Sequence, residues 1–80
     1  MERSEIEKKL KEILFNTLEE EAEVSDDTDL IKDLALNSIS LLYMALDIES
    51  AFGIKMENAE IAGISTIGQW ISYIEGKIKD

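Results

Sequence analysis

Eighty residues, a net charge of −10 and a complete lack of cysteine, histidine and proline bound what this chain can be. The length suits one small domain, near the limit at which a hydrophobic core alone suffices. No disulfide, thiol chemistry or zinc site is possible, and a catalyst would lack the commonest general base.

The opening, MERSEIEKKLKE, is charged throughout, so no secretory leader is expected. Ser4-Glu5-Ile6-Glu7 has the pattern of a capping box and predicts a helix start. Ile6, Leu10, Ile13, Leu14 and Leu18 then keep to one face at helical spacing.

The acidic run Glu19–Glu23 ends that helix, and SDDTDLIKDLAL reads as a long structured loop anchored by Leu30, Leu34 and Leu36. Asp27 and Asp29 match the first two ligand positions of a calcium loop. Ile31 then stands at the third ligand position and Lys32 where a glycine is needed, so a true EF-hand is rejected. The whole net charge lies in residues 19–62, where only Lys32 and Lys55 oppose the acids; the flanks each sum to zero. Such a field repels nucleic acid and attracts basic protein surfaces. The plainer reading, that it keeps a small protein soluble, stands beside that one.

The second helix starts at Asn37 or Ser38, both good N-cap types, and stops at Gly53. It carries two apolar stripes. Leu41, Ala45, Ile48 and Phe52 form one; Ile39, Leu42, Tyr43 and Leu46 form another on the far side. So short a chain has too few other elements to bury both, so the second stripe, rimmed by Asp47, Glu49 and Ser50, is expected to face partners. The competing reading is that the short helix and the loop cover it. The run over residues 39–46 is far below the roughly 20 residues of a membrane span, so no membrane insertion is expected and the chain reads as cytoplasmic. Ser38 heads the stripe. It is either an ordinary N-cap or, with Asn37 free to cap, a modification site whose phosphate ester would sit by the helix's unpaired N–H groups.

ENAEIAG, residues 57–63, holds at most a short helix with few large apolar residues. Thr66-Ile67-Gly68-Gln69 is a second capping box, opening a last helix in which Ile67, Trp70, Ile71, Ile74 and Ile78 recur at helical spacing. No segment alternates with period two. The expected fold is all-α: residues 1–80 as one small four-helix bundle, three longer helices plus a short third, with a long loop between the first two.

These residues resemble the acyl carrier protein family. DLALNSISLLYMALDIESAFGIKM is similar to its signature around Asp-Ser-Leu at the start of the second helix. Phe52-Gly53-Ile54 resembles the family's end of that helix, Ile64-Ser65-Thr66-Ile67 the approach to the last one, and Tyr73-Ile74 its closing pair. The match covers residues 28–75. The resemblance implies a carrier without catalytic activity, expected to be monomeric. Ser38 would accept 4′-phosphopantetheine from coenzyme A through a separate Mg²⁺-dependent phosphopantetheinyl transferase. The arm's thiol would hold acyl groups for enzymes of fatty-acid, polyketide or related biosynthesis, which would present basic docking patches. It also implies that Asn37, Ile39, Leu42, Tyr43, Leu46, Asp47 and Glu49 meet those partners, while Leu41, Ala45, Ile48 and Phe52 face inward. Three departures point away from the ordinary fatty-acid machinery: Asn37 for aspartate, Ile39 for leucine, and Tyr43 for an acid, a loss of charge that Ser50 continues. They favour a specialised carrier for a polyketide, a modified lipid or an aminoacyl group. A peptidyl or aminoacyl carrier and an unmodified acidic adaptor are the alternatives. Ala59, Ala62 and Gly63 make the third helix thinly packed, so it is expected to shift and let an acyl chain slip between helices.

Overall fold

The computed structural model describes residues 2–79. It contains four helices: α1 (Arg3–Leu18), α2 (Ser38–Phe52), α3 (Asn58–Ala62) and α4 (Ile67–Lys79). Strands are absent among the described residues, where one isolated antiparallel bridge joins Asp29 to Thr66. No described helix is long and apolar enough to cross a membrane.

Helix α1 packs against both α2 and α4. Its contribution to the core is Ile6, Leu10 and Leu14, one turn apart, with Ile13 and Leu18 half-buried beside them. The expected capping box at Ser4 does not form. The helix begins earlier, because the Glu2 carbonyl accepts from the Glu5 and Ile6 amides at 3.0 and 3.1 Å. Ser4 therefore lies inside the first turn, and Glu2 stands at the N-cap without a side-chain bond. The second capping box forms as the spacing predicts. Gln69 N–H donates to Thr66 Oγ1 at 3.2 Å, and Gln69 Oε1 accepts from the Thr66 and Ser65 amides at 3.1 and 2.7 Å.

On α2 the buried side is Leu41, Met44, Ala45 and Ile48, at i, i+3, i+4 and i+7. Met44 and Met56 complete the core and were not assigned to it from the sequence; Phe52 is half-buried, with Lys9 Nζ 5.7 Å from its ring centroid. Gly53 ends α2 with φ +66°, its amide donating to the Glu49 carbonyl at 2.9 Å. Space for a Cβ exists there, so backbone conformation is what calls for glycine. From α4, Ile67, Trp70, Ile71 and Ile74 are almost fully buried. Trp70 Nε1 is buried with no partner among the described residues, an uncompensated desolvation the packing of its ring must outweigh.

The loop from residue 19 to 37 is stitched to the head of α4. Ile67 and Gly68 amides, which the helix itself cannot satisfy, donate to the Thr28 and Asp26 carbonyls at 3.0 and 2.9 Å. Leu30 N–H returns a bond to Ser65 O at 3.0 Å. The approach is close: a Cβ on Gly68 would lie 3.1 Å from Asp26 Cβ and carbonyl O. Asp29, considered above as a calcium ligand, instead caps the next turn. Its Oδ1 accepts from the Lys32 and Ile31 amides at 2.8 and 2.9 Å, while its own amide donates to Asp33 Oδ2. The Lys32 amide, chiefly, holds the Asp29 carboxyl below the usual carboxylate value despite partial desolvation. The turn closes at Ala35 in the left-handed region, φ +59°.

Two outcomes follow from this packing. Ile48→Ala should cost about 3 kcal/mol of unfolding free energy in urea, whereas Leu46→Ala, two residues away on the open side, should change it by under about 0.5 kcal/mol. Ala35→Gly should raise stability by roughly 0.5–1 kcal/mol, because the native φ strains a Cβ.

Candidate functional site

Asn37, not Ser38, caps α2. The Asn37 Oδ1 accepts from Ser40 N–H at 2.8 Å and its carbonyl from Leu41 N–H at 3.0 Å. Ser38 is then the first helical residue, exposed, with its hydroxyl free of capping duty. No acidic side chain stands in the first turn of α2, so the positive end of a 15-residue helix has no carboxylate to balance it.

Beside Ser38 opens a cleft of about 390 Å³ between α2, α3 and the loop. Its walls are mainly apolar, with Ile31, Leu41, Leu42, Ile61 and Ile64 contributing. A second cleft of about 240 Å³ continues along α2 past Leu42 and Ala45 to Met56. Leu42, Asn58 and Ile61 line both. Among the described residues no group of acids is arranged to hold a metal ion. Ser38 has no histidine or cysteine to work with, since the chain contains neither. An unactivated serine hydroxyl is a weak nucleophile, so the geometry suits a residue that another protein's catalyst modifies.

The predicted outer stripe is outward. Ile39, Leu42, Tyr43 and Leu46 are between 44% and 66% exposed, a row of large side chains descending from Ser38. Asp47 is exposed beside them. Glu49 is placed differently: it is half-buried, and its Oε2 accepts from Met56 N–H at 2.7 Å, securing the segment after α2. Ile31, on the loop, joins the stripe at 52% exposure and also walls the cleft. Sequence reading missed it, although Leu30 and Ile31 are adjacent and only one of the two points into the core.

Helix α3 is held to α4 by a polar clasp. The Tyr73 hydroxyl donates to Glu60 Oε1 at 2.9 Å, and Lys77 Nζ lies 3.5 Å from the same oxygen and 5.6 Å from the Tyr73 ring centroid. Partial burial first, then the Glu60 carboxylate, pushes the Tyr73 hydroxyl up to about 12. The same hydrogen bond, with Lys77 assisting, holds Glu60 below its ordinary value.

The phosphopantetheine attachment site family matches residues 8–74. The chain is 40% identical over 77 residues to an acyl carrier protein of Thermotoga maritima, covering 95% of each chain. It is 35% identical over 79 residues to an acyl carrier protein of Coprothermobacter proteolyticus, covering 98% of this chain and 96% of that one. Among solved structures, an acyl carrier protein from Thermotoga maritima superposes with a TM-score of 0.84 at 24% identity, over 99% of this chain and 93% of the other, a likeness of fold.

The clasp predicts an alkaline signature. Unfolded, Tyr73 loses its proton near 10; folded, it holds the proton to about 12. The stabilisation is therefore complete below the first value and is lost as pH rises through the second. Urea melts at about pH 9 and about pH 11 should show the parent losing more stability than Tyr73→Phe, which has no phenol to titrate.

Proposed function

Because the chain belongs to the phosphopantetheine-attachment family of acyl carrier proteins, we propose that Ser38 is the residue to which the arm is joined. Proteins of this family carry acyl groups on covalently attached 4′-phosphopantetheine and have no catalytic activity of their own. They work with phosphopantetheinyl transferases and acyl-handling enzymes. One observation carries the assignment to Ser38. Its hydroxyl is exposed at the head of α2 and uncommitted to the cap, at the edge of an apolar cleft.

The surroundings fit the group. A phosphodiester on Ser38 would bring negative charge to a helix start that has no acid in its first turn, and the first amides of α2 would meet it. The apolar cleft offers shelter to an aliphatic chain carried from there. When bound, the arm supplies the terminal thiol that holds acyl groups as thioesters, which a cysteine-free chain cannot supply itself.

Partners read the open side of α2. Ile39, Leu42, Tyr43 and Leu46, with Ile31, form an apolar strip beside Asn37 and Asp47, within the acidic segment 19–62. Basic patches on partner enzymes would be drawn by the charge and held by the strip. Glu49 takes less part, its carboxylate being engaged by Met56. Neutral Asn37 and aromatic Tyr43 remove charge from this surface and favour specialised enzymes handling a polyketide, a modified lipid or an aminoacyl group. The chain would act in the cytoplasm as a monomeric, one-domain carrier.

Incubation with coenzyme A, Mg²⁺ and a broad-specificity phosphopantetheinyl transferase should add one phosphopantetheine to the intact mass of the parent and none to Ser38→Ala. No gain in a folded sample with several transferases would leave Ser38 as a helix-start serine and α2 as a plain docking helix.

A further inference from the structure

Helix α3 is one wall of both clefts, through Asn58 and Ile61, yet little of it is anchored. Five residues are too few for a helix to hold itself in water. Only Ile61 is buried; the other four side chains are exposed. Among the described residues the side-chain polar tether from α3 to another helix is Glu60, gripped by Tyr73 and Lys77. Both grips sit on α4 one turn apart, and α4 is fixed in the core by Trp70, Ile71 and Ile74. A loosely held wall is thus pinned to a firmly held helix at one side chain.

We propose that the Glu60–Tyr73–Lys77 clasp is a retaining latch that holds α3 toward α2 and keeps an aliphatic acyl chain in the cleft beside Ser38. Tyr73 and Lys77 do not line that cleft; they act on it through Glu60 and are positioning residues. The bond from a phenol to a carboxylate is charge-assisted and directional, so it can set where α3 rests. The ammonium of Lys77 adds a weaker, partly solvated attraction. Release of cargo then requires α3 to swing away, which a docked partner achieves by drawing Glu60 off with its own cation. The retention of cargo rests on Ser38 carrying the arm; the restraint of α3 does not.

Amide hydrogen exchange tests the restraint in the unmodified full chain. In Tyr73→Phe, which keeps the ring, exchange at Ile61 and Gly63 should quicken about tenfold while Trp70 to Ile74 stay unchanged, local opening without global loss. Glu60→Ala should match it, and Glu60→Gln, which keeps an acceptor for the phenol, should recover much of the protection. Unchanged exchange in α3, or an equal rise throughout α4, overturns the latch. The cargo is tested with acetyl and octanoyl thioesters loaded through the transferase. Alkaline hydrolysis of the octanoyl form should run several-fold faster in Tyr73→Phe than in the parent, with the acetyl form, too short to be retained, unaffected. Equal octanoyl rates overturn retention. Failure to load any variant sinks the assignment of Ser38 instead, and the exchange result still decides the clasp.

Discussion

Helix α2 carries more apolar surface than the rest of this chain can cover, and the arrangement of the molecule follows from that excess. One side, Leu41, Met44, Ala45 and Ile48, packs on α1 and joins the buried cluster to which α4 also contributes. With the long helices already committed there, the other side meets only a five-residue α3 and a loop. These cover Leu42 in part and leave Ile39, Tyr43 and Leu46 open. A monomer normally keeps such patches small, and a row of them on one helix is what supports the contact surface proposed above. The clefts have the same origin. They form where a short, lightly packed helix is asked to roof a long apolar one.

The position of Ser38 on that helix is set from some distance away. The loop runs past the start of α4, giving Asp26 and Thr28 carbonyls to the Ile67 and Gly68 amides and taking Ser65 O for Leu30. Leu30 and Leu36 are buried by the same path, and Leu36 N–H bonds back to Leu30 O at 3.0 Å. The chain therefore reaches Asn37 already oriented, and the left-handed turn at Ala35 is the local strain it accepts to arrive there. Helix starts on α2 and α4 are thus linked: the loop that satisfies one delivers the cap of the other.

Much of this was legible in the residues. Helical periodicity gave the inner faces of α1 and α4, Gly53 the stop of α2, Thr66 and Gln69 the start of α4, and the double stripe the open side of α2. Each is a local pattern, and local patterns survive into the fold when packing agrees with them. Ser4 shows the limit, because its capping box was overruled by a backbone carbonyl two residues earlier. What stayed hidden is non-local. The stitching of Asp26 to Gly68 pairs backbone groups far apart in sequence, and no side-chain pattern announces it. Met44 and Met56 are flexible side chains that fill whatever gap the helices leave. Glu49 reads as rim charge on a helical wheel, and only the path of the chain beyond Gly53 brings Met56 N–H to it. The cleft beside Ser38 is a space between three elements, and the loop residue Ile31 belongs to it only once the loop is placed.

Helix α3 is held by one apolar and one polar side chain, Ile61 and Glu60, and this pairing connects stability to transport. Its own amides make short-range bonds only among the described residues, and the nearest main-chain tie to α2 is the Met56 amide, bonded to Glu49 just before the helix begins. Ile61 is buried in the core and Glu60 is held by Tyr73 on α4, and in the proposed latch these two contacts together keep α3 beside the cleft. A carrier has to protect its cargo in transit and yield it on contact. A wall built into the core would protect without yielding, and an untethered one would yield without protecting. A short helix with one buried side chain and one polar tether lies between these limits. Because that tether is a carboxylate in the acidic segment, a basic partner docking along α2, as proposed above, would act on the steering charge and on the latch at once.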